Sequence, residues 1–182
     1  MEDPFQKQGI EFKIIDEKMI PQVTDFLWTH FYPHEPISRS LKIRRTWALD
    51  ELHLKDAMKD GSSMAALNSK GEVIGARIGK RKRKSQWMVK MFDRSFFLLP
   101  NWMIKRLGGS EGMPIFLKII KLVGFDTWKM FDELDCEQIY EDAAVCSDRG
   151  SGVRGIGTEL CRRTEILAKE LGCSHTYAAV TG

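Results

Sequence analysis

Cysteine is scarce. Cys136, Cys146, Cys161 and Cys173 are the only four in 182 residues. No two of them stand at C-x-x-C spacing and no histidine cluster accompanies them, so no metal site is expected. Long apolar runs are also missing: none approaches the roughly 18 residues needed to cross a bilayer, and no membrane segment is expected. The opening Met-Glu-Asp-Pro-Phe carries two acids and no apolar core, unlike a secretory signal. With unpatterned cysteines this fits a reduced, cytoplasmic setting. A large charge of one sign is lacking as well. Lys and Arg total 28 against 25 Asp and Glu, a net +3, so no nucleic-acid partner is expected.

The rest is the profile of a globular domain, with 43% hydrophobic and 29% charged residues. A domain of this size buries roughly 70% of its unfolded surface, enough for a core without staples. The basic run Lys80-Arg81-Lys82-Arg83-Lys84 reads either as a solvated strand end or as a nuclear or phosphate-binding patch.

Along the chain, Phe12 to Ile15 reads as a strand. Asp16 can cap a helix with Pro21 in its first turn and Ile20, Val23, Leu27 and Phe31 on one face. That helix stops before Pro33, and Pro36 follows, holding His34 and Glu35 in a short stiff segment. A second helix is expected over residues 49–59, before Gly61. Met64 to Leu67 and Val73 to Ala76 flank Asn68-Ser69-Lys70-Gly71 as a hairpin. Residues 86–133 are rich in Trp, Phe and Met, a stretch that can serve as core or as the wall of a pocket. Pro114 can start a helix there. Gln138 to Val145 reads as a strand, Thr158 to Leu171 as a helix closed by Gly172, and Thr176 to Val180 as a last strand. On that helix Leu160, Thr164, Leu167, Ala168 and Leu171 share one face, and Glu165 with Lys169 forms a favourable pair on the other.

Between strand 138–145 and helix 158–171 lies Val145-Cys-Ser-Asp-Arg-Gly-Ser-Gly-Val-Arg-Gly-Ile-Gly-Thr158. Glycines allow positive φ and close backbone approach, and the free N–H groups of a helix start suit a phosphate. Gly150, Gly152 and Gly155 satisfy G-x-G-x-x-G. The dinucleotide fold also needs an acid about 20 residues on. Tyr177-Ala-Ala-Val-Thr181 offers none, and only 25 residues follow Gly157. No G-K-[ST] is present for a P-loop. A glycine-rich turn without a ligand stays open.

Gly155-Ile-Gly-Thr-Glu-Leu160 and the helix after it resemble the acetyl-CoA loop of the GNAT N-acetyltransferases, [QR]-x-x-G-x-[GA] between strand four and helix three. Anchored on Gly155 and Gly157, the leading Gln/Arg of that pattern falls on Gly152, with Arg149 and Arg154 nearby. This implies a loop about two residues longer than usual and an arginine displaced from its usual place. Phe31-Tyr-Pro-His-Glu-Pro-Ile37 is similar to the segment after helix one of the insect arylalkylamine N-acetyltransferases, whose proposed catalytic base maps onto Glu35. Gly71-Glu-Val-Ile-Gly75 matches their second and third strands.

The resemblance implies an α+β GNAT fold, a mixed and mostly antiparallel sheet flanked by helices. It implies a single domain, residues 1–182, that stops after a fifth strand, short of the C-terminal part carrying the family's proposed acid serines. It implies acetyl-CoA as cosubstrate, bound by Val145, Arg149, Gly152, Arg154, Gly155, Ile156, Gly157 and Thr158, and a small-molecule amine as partner. Transfer would be direct. Cys146 has no evident histidine partner for a covalent route. Two alternatives remain: a non-catalytic acyl-CoA-binding remnant, and a GNAT acting on protein lysines.

Overall fold

The computed structural model describes residues 3–45, 50, 54–85, 115 and 127–178. Their elements run β1 (Glu11–Ile14), α1 (Ile20–His30), α2 (Pro36–Ser40), α3 (Lys55–Met58), β2 (Met64–Leu67), β3 (Val73–Arg83), α4 (Thr127–Glu133), β4 (Gln138–Ser147), α5 (Ile156–Glu170) and β5 (His175–Ala178). The strands form one sheet in sequential order, antiparallel except for β4 and β5, which run parallel with α5 as the crossover. This is the expected mixed sheet with helices on its faces.

Two apolar layers hold it. On one face Ile20, Val23 and Leu27 of α1 and Met58 of α3 pack on Ala65, Ala76 and Ile78, with Ala144 and Cys146 at the margin. On the other, Ile156, Leu160 and Leu167 of α5 pack on Met64, Ala66 and Ile74, with Ile10 and Phe5 joining from the N-terminal segment. Both helices bury the faces that their spacing predicts. Two glycines of β3 allow close approach. A Cβ on Gly75 would lie 2.5 Å from Ile156, and one on Gly79 would lie 2.0 Å from the Tyr140 hydroxyl.

The hairpin and the β4–loop–α5 succession stand where expected. Some details differ. Asp16 accepts a hydrogen bond from the Met19 N–H at 3.0 Å, so it closes the turn before α1; the cap position, Met19, has no side-chain bond of its own. On α5 the ion pairs join Glu159 to Arg162 and Arg163, at 2.6 and 2.7 Å, rather than Glu165 to Lys169. The basic run is the end of β3. Lys82 pairs with Glu141 at 2.8 Å, Lys84 with Asp132 at 3.0 Å, and the Arg81 guanidinium donates to the Leu171 carbonyl at 3.4 Å. Those partners make it a paired strand end rather than a bare cationic patch. The helix expected over 49–59 stands in part as α3, with residues 49 and 51–53 outside the described residues; apart from Ile115, the expected helix at Pro114 and the aromatic stretch over 86–126 also lie outside them. All four cysteines are free thiols, two of them, Cys136 and Cys173, buried.

Candidate active site

Glu35 owes its position to local chain chemistry. Its own backbone is extended, with φ −69° and ψ 125°, and Pro36 then pre-sets the first helical turn of α2. Its side chain caps that helix, Oε1 accepting from the Ile37 N–H at 3.1 Å and Oε2 from the Ser38 N–H at 2.5 Å. These two amides orient the carboxylate. Just before it, Tyr32 is buried and stacks on Trp28 with ring centroids 4.2 Å apart. The Trp28 indole donates to Asp50 at 2.7 Å, and Arg45 binds Asp50 at 2.6 Å. Burial, with help from the Asp50 and Glu35 charges, holds the Tyr32 phenol well above its usual range, so it stays protonated.

The second part of the site is the C-terminal half of β4. The described residues of β5 are in register with β4 from Ile139↔His175 to Asp142↔Ala178. The next residue, Ala143, is the extra residue of a bulge, because Gly79 faces Asp142 while Ile78 faces Ala144. Beyond it the Asp148 N–H donates back to the Ile74 carbonyl of β3 at 2.9 Å. Antiparallel pairing alternates, so Cys146 and Ala144 also turn their N–H groups toward β3. Val145 and Ser147 turn theirs the other way, away from β3. Val145 lies opposite Arg77 and is 41% exposed.

These two parts meet in a cleft of about 680 Å³. His30, Phe31, His34, Glu35 and Pro36 line it from the end of α1 and the start of α2, Asp142 to Arg149 from β4 and the turn after it, and Ala178 from β5. Of the residues singled out in the sequence, Glu35, Val145 and Arg149 come together here. Gly152, Arg154 and Gly155 to Thr158 are not in its lining; they form the rest of the loop and the start of α5.

That loop is partly closed by its own side chains. Asp148 accepts from the Gly150 N–H at 2.7 Å, and Arg149–Ser151 forms a single 3-10 turn ended by Gly152 at φ 73°. Gly155, at φ 84°, begins α5 with no side-chain cap. The first helical bond there is from the Glu159 N–H to the Gly155 carbonyl, so the Ile156, Gly157 and Thr158 amides have no intrahelical acceptor. Nothing lies within 4 Å of where a Gly157 Cβ would be. Arg149 and Arg154 are exposed. Glu159, the one acid of the first turn, is held below its usual range by Arg162, against a smaller opposing effect of burial, with Arg163 adding to the pull. The helix start therefore presents free donors and a positive dipole to an anion.

Cys146 sits in the same cleft, but burial pushes its thiol up to about 12, far from the thiolate a covalent route needs. Sequence reasoning passed over Asp142, Arg77 and Asp148. Arg77 carries a readable signal, a lone charge inside the apolar run Val73-Ile-Gly-Ala-Arg-Ile-Gly79. Asp142 shows none, because the partner that explains it is 65 residues away. Among the described residues no cluster of His, Cys, Asp and Glu could hold a metal ion, and no helix is long and apolar enough to cross a membrane.

No family model and no curated protein matches this sequence. Solved structures do match. Arylalkylamine N-acetyltransferase 2 from Aedes aegypti superposes with a TM-score of 0.80 at 20% identity, over 96% of this chain and 77% of that one. The polyamine N-acetyltransferase of Drosophila melanogaster, which forms N-acetylagmatine, gives 0.74 at 17% identity over 95% and 77%. A mosquito arylalkylamine N-acetyltransferase-like protein gives 0.66 at 16% identity over 93% and 75%. This chain thus has the GNAT fold, in the form taken by these insect enzymes.

Proposed function

We propose that this protein is an N-acetyltransferase that moves the acetyl group of acetyl-CoA to the primary amine of an arylalkylamine by direct attack. The observation that carries the reading is one cleft holding both the Glu35 carboxylate and the Val145 segment of β4.

Acetyl-CoA would supply the acetyl group as a thioester. The residues present fit it. The uncapped start of α5, with the Ile156, Gly157 and Thr158 amides and the αL turn at Gly155, suits a pyrophosphate, and Gly157 leaves room for close approach. Arg149 and Arg154 would add charge-assisted donors, and Gly152 the left-handed turn between them.

An alkylamine has a pKa near 10, so at pH 7 releasing its proton costs about 4 kcal/mol. Glu35 would accept that proton, directly or through a water, from an ammonium held beside the end of α1. The Val145 N–H would donate to the carbonyl oxygen as negative charge builds there, in a fixed backbone that needs no reorganisation. Phe31, on the Glu35 side of the cleft, supports an aromatic amine.

The test starts with thermal unfolding of this chain with and without acetyl-CoA. A ligand at 100 times its Kd adds about 2.7 kcal/mol of stability. Thiol release is then followed with dopamine, tryptamine, agmatine and a lysine peptide. The reading requires an upward melting shift and fastest turnover on the arylalkylamines. A cooperative melt with no shift would contradict it. A shift without turnover would favour a non-catalytic acyl-CoA binder, and turnover confined to the peptide would favour a protein-lysine acetyltransferase.

A further inference from the structure

Arg77 is a charge inside the molecule, 4% exposed, and the groups around it come from two elements, β4 and α5. On β4, Asp142 Oδ2 accepts from its Nε at 3.0 Å and lies 2.8 Å from its Nη2. On α5, its Nη1 donates to the Cys161 carbonyl and to the Thr164 hydroxyl, each at 2.7 Å. Its guanidinium carbon lies 5.6 Å from the centre of the Tyr140 ring. One β3 side chain therefore ties β4 to the helix whose first turn follows the glycine loop.

The place it ties is the bulge of β4. Asp142 lies opposite Ala178 of β5 and is the residue before the bulge at Ala143. It lines the cleft together with Val145, three residues on. A buried ion pair is a poor way to add stability, because desolvation offsets most of the attraction and apolar side chains of like volume often do as well. This pair is not even tuned for stability: among the described residues the second oxygen, Asp142 Oδ1, is buried and accepts no hydrogen bond. What the fork geometry of an arginine supplies is direction, two fixed contacts on β4 and two on α5.

We propose that Arg77 and Asp142 are positioning residues for the acyl transfer, fixing the bulge of β4 and the start of α5 in one frame so that the Val145 N–H keeps its aim. This rests on the N-acetyltransferase reading above. Neither residue acts on the substrate; both act through the backbone of β4.

The test compares the wild-type chain with Asp142→Asn and with the double variant Arg77→Met/Asp142→Leu, which replaces the pair by apolar side chains and keeps the fold available if the single change unfolds it. With acetyl-CoA and tryptamine well below each melting temperature, kcat is expected to fall about 10- to 100-fold in both variants while the KM for tryptamine stays within about twofold. A double variant that melts at or above the wild-type temperature and also keeps wild-type kcat would overturn the proposal, since the pair would then be structural alone. Amide hydrogen exchange gives a second readout that needs no turnover. The Ala144 and Cys146 amides should exchange about tenfold faster in both variants, with Val23 and Leu27 of α1 unchanged. Unchanged exchange at Ala144 and Cys146 would also overturn it. A wild-type chain without turnover would count against the enzymatic reading, and the exchange result would still decide whether the pair holds the strand.

Discussion

β4 carries a long ladder on one edge and lines a cleft with its C-terminal half. Against β3 it is in register from Gly75↔Ser147 to Arg83↔Gln138, nearly the whole strand with one bulge. Against β5 the described residues are in register from Ile139 to Asp142. The long ladder is packed by Ala76 and Ile78 on one face and crossed by the Arg77 fork on the other. On its cleft side β4 presents the Val145 segment across from Glu35. One part of the strand is scaffold; the other lines the site.

The largest effect should come from the cleft side. Replacing Glu35 by Gln is expected to lower kcat/KM for tryptamine by about 10²- to 10⁴-fold while keeping a side-chain acceptor for α2, so melting should change by little. Initial rates and a melting curve on the same sample check both halves. A large loss of stability with modest loss of rate would reverse the division drawn here.

On the scaffold side the order of effects should invert. Gly79→Ala puts a methyl group against the buried Tyr140 phenol, whose hydroxyl donates to the Ser62 carbonyl at 2.9 Å. Such overpacking costs about 1–3 kcal/mol, or several degrees in Tm for a domain of this size. The Kd for acetyl-CoA of the folded protein should stay unchanged. Calorimetric titration below the melting transition measures it.

Arg149→Ala and Arg154→Ala come next. Each should raise the Kd for acetyl-CoA by about tenfold at low salt, as expected for one charge-assisted donor, with Tm in the absence of ligand unaltered. Repeating the titration in 0.5 M salt should narrow the difference to the wild type. A salt-independent loss would mean that the arginines act on the fold instead.

The smallest effect on rate is expected at Cys146. Cys146→Ala should keep kcat within about twofold, since no thiolate is used. The residue should show instead in stability against pH. The folded thiol keeps its proton up to about 12, while in the unfolded chain it titrates near 9.0. Its contribution is thus complete below pH 9 and is lost as the pH rises from 9 toward 12. The alanine variant should lack that part of the alkaline decline in denaturant titrations.

Much of this was legible in the residues. The apolar faces of α1 and α5 follow from 3.6-residue spacing, the β2–β3 hairpin from Asn68-Ser-Lys-Gly71, and the helix start after Gly155 from the glycine loop. Glu35 stands out because prolines flank it. What stayed hidden depends on contacts remote in sequence or on register. The bulge at Ala143 leaves no mark in Tyr140-Glu-Asp-Ala-Ala-Val145, since one inserted residue is defined only by the partner strand. Asp142 looks like one more acid until Arg77 is placed beside it. Asp16 misled because a carboxylate can close a turn as readily as it caps a helix, and only the position of Met19 separates the two.

The central claim is that the Glu35 side chain removes the amine proton, and the pH dependence of the Glu35→Gln variant tests it most directly. kcat/KM for tryptamine is measured for both proteins from pH 6 to pH 10. If Glu35 is the base, the variant should lose about 10²-fold or more at pH 7 and recover toward the wild-type rate near pH 10, where the amine is already largely free of its proton. A ratio of wild-type to variant rates that stays constant across this range, or an undiminished rate at pH 7, would contradict it.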